Sequence, residues 1–171
     1  PLASNPNFPA VHATNYQGAM GAMEYLIGLG HKRIGYISGR AELESSNRRL
    51  KGYKDALKKA GISLDEQLIA SGDYTTETGV SGARQLLGLK KPPTAIFASN
   101  DQMAMSVFQV AEELGMKIPD DLSVIGFDNI EESAYFQPPL TTMDSCLDWI
   151  APTAVSRIID WAGAALSAAA S

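Results

Sequence analysis

At 171 residues with 45% hydrophobic side chains, the chain is long enough to bury a core and too apolar to be intrinsically disordered. Fourteen basic against nineteen acidic residues give a net charge of -5, and no basic run exceeds pairs such as Lys32-Arg33, Arg48-Arg49, Lys58-Lys59 and Lys90-Lys91, which excludes a nucleic-acid footprint within this sequence. The single cysteine, Cys146, excludes an internal disulfide and fits a reducing compartment, while His12 and His31 stand too far apart for metal-ligand spacing.

In chain order, short β-type runs alternate with longer amphipathic ones, the pattern of parallel strands joined by crossover helices. A strand is predicted at 10–14. A helix over 16–29 follows, with Met20, Met23, Leu26 and Ile27 on one stripe and a stop at Gly30. The turn holding His31 leads into a strand at 33–38, and residues 45–60 form the second helix, striped by Leu50, Tyr53, Leu57 and Ala60 and ended by Gly61. A strand at 67–71, a glycine-weakened helix at 77–89 and a strand at 94–99 come next. Met103, Val107, Val110 and Leu114 stripe a fourth helix that ends at Gly115. A fifth strand is predicted at 122–127, and a short helical piece near 130–136 is stopped by Pro138-Pro139. From Asp148 a broad apolar helix pattern, with Pro152 inside it, drifts into an alanine-rich end; Trp149 and Trp161 are taken to mark buried faces.

Pro1 stands where an initiating Met would, no basic-then-apolar leader follows, and no apolar run approaches the roughly 18 residues of a membrane span. The expectation is a soluble, cytoplasmic piece of something longer, with no membrane partner. No G-x-G-x-x-G, no G-x-x-x-x-G-K-[ST] and no G-x-S-x-G is present, and neither histidine has a nucleophile near it, so no catalytic residue, metal or cofactor is expected.

What remains are polar groups at strand exits, which in a parallel α/β sheet converge on one edge. They are Gly39-Arg40 with Ser45 and Arg49 beyond, Asp73-Tyr74, Ser99-Asn100-Asp101 and Asp128-Asn129. Such a set can hydrogen-bond a polyhydroxylated ring or polar heterocycle while an aromatic face covers its C–H side. Each residue also has a duller reading: Asn100 as a helix cap, Arg49 as a solvated cation or an ion pair with Glu42 or Glu44, Tyr74 as a loop anchor, Asp128 as a cap for the short helix after it.

Taken together, "NYQGAMGAMEYLIGLGHKRIGYISG", "NRRLKGYKDALKKAGI", "GDYTTETGVSGARQLL", "PTAIFASNDQMAMSVFQVAEELGMKIPDDLSVIGFDNI" and "PPLTTM" resemble the effector-binding core of the lactose repressor and galactose repressor family of bacterial transcription regulators. The resemblance runs in order over residues 10–145. It implies a three-layer α/β sandwich with a mainly parallel sheet, one lobe of a two-lobed fold like that of periplasmic sugar-binding proteins. Residues 1–145 would be most of the C-terminal lobe, and 146–171 a return segment packing on an N-terminal lobe absent from this chain, as are the helix-turn-helix and hinge helix. The resemblance further implies a small polar, sugar-like effector held by Ser45, Arg49, Tyr74, Asn100 and Asp128, contact with operator DNA only through the missing N-terminal domain, and a homodimeric full-length protein that acts by ligand-dependent lobe closure. Thr14 departs from the pattern, standing where the family often has an aspartate. A periplasmic solute-binding receptor of the same fold is the alternative.

Overall fold

The computed structural model describes residues 13–169. Two compact units result, Asn15–Ser145 and a second holding the residues from Cys146 onward.

The first unit runs α1 (Asn15–Gly28), β1 (Ile34–Ile37), α2 (Glu44–Lys59), a 3-10 turn at Glu66–Leu68, β2 (Ile69–Ala70), α3 (Thr76–Leu87), β3 (Ala95–Ala98), α4 (Asp101–Glu113), β4 (Ser123–Asp128), a 3-10 turn at Glu131–Tyr135, and β5 (Thr141–Asp144). The strands form one five-stranded sheet in the order β2-β1-β3-β4-β5, and every neighbouring pair is parallel. Strand alternation splits the core in two. Ile34, Tyr36, Ala95, Phe97, Ile125 and Phe127 meet α1 and α2 on one face, where Ala19, Met23, Leu26, Tyr53 and Leu57 are buried. Ile37, Ile96, Ala98 and Val124 meet α3 and α4 on the other, where Leu86, Met103, Val107 and Val110 are buried. This is the expected three-layer sandwich.

Three of the helices, α1, α2 and α4, end where the sequence says they should, for one backbone reason. Gly30, Gly61 and Gly115 each take positive φ, and the residue after each returns its N–H to the fifth carbonyl back: His31 to Leu26, Ile62 to Leu57 and Met116 to Ala111. That is the Schellman arrangement, and it satisfies carbonyls the helix leaves orphaned.

Three expectations need correction or placement. The predicted strand at 10–14 lies mostly outside the described residues, as does His12, and Ala13 and Thr14 carry no regular structure. β5 is an addition to the expected strands, because Thr141-Thr142-Met143-Asp144 is a half-exposed edge strand with no apolar run to betray it. Trp149 and Trp161 do not mark buried faces: they are exposed, along with Val155, Ile158 and Ile159. Apolar periodicity tells which side of a helix seeks cover, whereas burial needs a neighbour.

The second unit is described by α5 (Leu147–Ala169), which continues through Pro152 into the alanine-rich end. Among the described residues no helix is long and apolar enough to cross a membrane.

Candidate functional site

The chain leaves β1 toward β2 on one side and leaves β3 toward β4 on the other, so the sheet has its switch point between β1 and β3. At such a point the two connections diverge and open a crevice beyond the carboxyl ends of the strands. All five candidate residues lie at that edge, on a strand end, a loop or the first two turns of a helix.

Arg49 is the centre of the cluster. It sits in the second turn of α2, and it is neither solvated nor paired with Glu42 or Glu44; the neighbouring Arg48 takes Glu44 instead. The Arg49 side chain is 8% exposed, and its fork reaches three parts of the fold. Nε donates to Asn15 Oδ1 at 2.8 Å, Nη1 donates to the Ser99 carbonyl, and Nη2 donates to Asp128 Oδ1 at 3.1 Å. The guanidinium lies 3.7 Å from the centroid of the Phe127 ring and 5.9 Å from that of Tyr74. A planar cation between aromatic rings is attracted by their electron-rich faces, which offsets part of the cost of burying its charge. Of five N–H donors three are engaged among the described residues, which leaves two for another acceptor.

Asp128 ends β4 with φ 115, and Asn129 follows with φ 57. Asp128 does not cap the following 3-10 turn, whose N-cap is Ile130. Burial pushes the Asp128 carboxyl up from its ordinary range, the Arg49 charge pulls it partly back, and the nearby Asp101 pushes it up again. Its second oxygen has no hydrogen bond among the described residues.

Asn100 is the helix cap and also a tie between two loops. Its Oδ1 accepts from Met103 N at 3.0 Å and caps α4, while its Nδ2 donates to the Tyr74 carbonyl at 3.1 Å, tying the β2 and β3 exits together. Its neighbours are engaged too: Ser99 Oγ donates to the Ile37 carbonyl and accepts from the Tyr36 hydroxyl, and Asp101 is fully buried in contacts of its own. Tyr74 takes φ 76 and lays its ring against Gly39, where any Cβ would overlap it; its hydroxyl is buried without a hydrogen-bond partner among the described residues. Ser45 is half-buried in the first turn of α2, one helical turn before Arg49 and so on the same side. Contacts thus join Arg49, Asp128, Tyr74 and Asn100 into one group, and Ser45 shares a helix face with it.

Sequence reasoning missed Asn15 and Phe127 as members. Asn15 opens the first of the family-like stretches, but nothing local pairs it with Arg49, 34 positions away. Phe127 read as an ordinary core residue and is one, with its face doubling as a platform. Asp73, at the β2 exit, accepts from the Thr75 and Thr78 hydroxyls and the Thr75 N–H, which together draw its carboxyl down to about 2.

His31 lies at the opposite edge, its two ring nitrogens 2.8 Å from Thr94 Oγ1 and 3.0 Å from Ser123 Oγ, where it links the starts of β3 and β4. A hollow of about 1010 Å3 also lies elsewhere, beside α4, lined by Met105, Phe108, Gln109, Met116 and Phe136, and by none of the five candidates. The candidates form a rim beyond the carboxyl ends of the strands.

Comparison with known proteins agrees with this fold. Residues 23–165 match the periplasmic binding protein-like domain. The HTH-type transcriptional repressor CytR of Escherichia coli (strain K12) is 47% identical over 142 residues, covering 83% of this chain and 42% of that protein. The HTH-type transcriptional repressor PurR of Photobacterium profundum is 40% identical over 144 residues, 84% of this chain and 43% of that protein. The chain therefore spans well under half the length of these relatives. Among solved structures, a transcriptional regulator CelR–cellobiose complex superposes with TM-score 0.89 at 30% identity over 95% of this chain and 50% of that one. A sugar-binding transcriptional regulator (LacI family) from Escherichia coli complexed with phosphate gives TM-score 0.83 at 35% identity over 87% of this chain and 54% of that one.

Proposed function

The chain belongs to the periplasmic binding protein-like domain family, in its lactose repressor and galactose repressor group, and on that footing we propose that it is the effector-sensing lobe of a DNA-binding transcriptional repressor. The effector is a small, neutral, polyhydroxylated or polar ring. Arg49 and Asp128 carry opposite charges that cancel, so the rim offers no net attraction to an anion. Side by side, the two spare N–H groups of Arg49 and the open oxygen of Asp128 suit a hydroxyl that accepts from one and donates to the other. Tyr74 covers a ring face, the remaining Asn100 N–H adds a donor, and Ser45 adds a hydroxyl.

The observation that carries this reading is the Arg49 fork, which gathers Asn15, Ser99 and Asp128 from separate elements at the switch point of the sheet. A second lobe, outside this chain, supplies the facing wall, and α5 with its exposed Trp149, Ile158 and Ile159 packs on that lobe. Ligand favours one lobe arrangement, and this shifts the equilibrium that sets DNA-binding geometry in a cytoplasmic homodimer. Operator DNA is contacted by a domain outside this chain. The curated relatives, both named repressors, support a regulator over a periplasmic receptor.

The test is calorimetry on the full-length protein with a panel of sugars, nucleosides and nucleobases. Loss of charge-assisted hydrogen bonds to Arg49 costs on the order of 1.5–3 kcal/mol, so Arg49→Ala should weaken the best ligand by about tenfold to a hundredfold. An affinity change of less than about twofold would overturn the site assignment.

A further inference from the structure

Asp101 is a carboxylate with no exposure at all, in the first turn of α4. Capping does not explain it, because Asn100 already caps that helix. Its two oxygens instead reach far along the chain. Oδ2 accepts from the Ile130 N–H at 2.9 Å, and Oδ1 accepts from the Thr142 hydroxyl on β5. Thr142 Oγ1 in turn accepts from the Asn129 N–H at 3.3 Å, and Ser145 Oγ donates to the Asp128 carbonyl at 3.2 Å. Between these anchors stand two consecutive residues of positive φ, Asp128 and Asn129. Left-handed backbone at two residues in a row, neither of them glycine, persists only where the surroundings hold it.

We propose that Asp101 is the positioning residue of the effector rim: by binding the Ile130 N–H and the Thr142 hydroxyl on its two oxygens, it holds the left-handed pair Asp128-Asn129 in the shape that presents the Asp128 carboxylate to Arg49. Two further features fit. β4 has glycine at 126, where a Cβ would run into Asp101 Oδ1, so the strand leaves a notch for the carboxylate. The other half of the ion pair is fixed to the same corner, since Arg49 binds the carbonyl of Ser99, two residues before Asp101. The helix start thereby sets both members of the pair, one through its backbone and one through its first-turn side chain, whose negative charge the helix dipole favours.

The purpose assigned to this arrangement rests on the effector reading, but its test needs no ligand and can fail independently of that reading. In the 171-residue chain, the Arg49 guanidinium N–H signals and the amide exchange of Asn129 and Ile130 are followed by NMR for the parent, Asp101→Ala and Asp101→Asn. With Asp101→Ala, exchange at Asn129 and Ile130 should rise by about tenfold and the Arg49 Nη signals should lose protection, while β1 and β3 amides stay as in the parent. Asp101→Asn should restore both, because the amide oxygen can take the Ile130 N–H and the amide NH2 can donate to Thr142 Oγ1. Should Asp101→Ala fail to fold, Thr142→Val removes one anchor with nearly unchanged shape, and the same signals should move in the same direction. Unchanged Arg49 and 129–130 signals in a folded Asp101→Ala or Thr142→Val chain would overturn the proposal, as would a uniform loss of protection across the sheet.

Discussion

Replacing Asp128 by alanine strips Arg49 of its only ion-pair partner among the described residues while leaving the guanidinium buried. Two effects oppose each other. The upward shift of the Asp128 carboxyl means that burial costs its charged form more than Arg49 returns, so deleting the carboxylate relieves that cost. Against this, Arg49 keeps its charge with only neutral partners left, Asn15 and the Ser99 carbonyl. Removing one member of a fully buried pair costs about 3–5 kcal/mol, and the 29% exposure of the Asp128 side chain brings the expected loss down to about 2 kcal/mol. For a chain of this length that corresponds to a fall in Tm of roughly 4–8 °C. Urea unfolding of the 171-residue chain followed by circular dichroism measures it, with Glu66→Ala as the control, since the Lys54–Glu66 pair is exposed and should contribute less than about 0.5 kcal/mol. If Asp128→Ala costs no more than Glu66→Ala, the pair does not hold the rim, and the reasoning from the Arg49 fork fails.

Asn100→Ala should cost about 1–2 kcal/mol in the same assay, because it removes both the α4 cap and the bond to the Tyr74 carbonyl, whereas Asn100→Asp keeps the cap and should lose less than half of that. Gly39→Ala should destabilise by about 1–3 kcal/mol by forcing a methyl into the Tyr74 ring, with a change in the near-ultraviolet tyrosine signal as the readout. Acid should act on the rim with opposite signs. Asp73, held at about 2, contributes stability that is present above its ordinary 3.8 and lost as pH falls through about 2, so Asp73→Asn should flatten the stability profile in that window. Asp101 and Asp128, raised mainly by burial, favour the fold when protonated, so their contribution declines as pH rises from 3.8 through their folded values.

Much of the architecture was legible because it is local chemistry. The stripe Met103, Val107, Val110, the stops at Gly30, Gly61 and Gly115, and the apolar runs of β1, β3 and β4 depend on neighbours a few residues away, and all stand where their patterns put them. The convergence of Arg49, Tyr74, Asn100 and Asp128 at one edge was legible too, since a parallel sheet sends every strand exit the same way. The edge strand β5 was not, because pairing with β4 requires only backbone groups and leaves no apolar signature.

Which polar groups bind which was beyond any local pattern. Nothing in the neighbourhood of Arg49 distinguishes Asp128, 79 positions on, from the much closer Glu44, and nothing near Asp101 foretells Thr142, 41 positions on. Periodicity and turn chemistry act over a turn of helix or a pleat of strand, and so they choose elements and their faces. Hydrogen bonds between strand exits depend on the order β2-β1-β3-β4-β5, and that order exists only once the sheet is assembled.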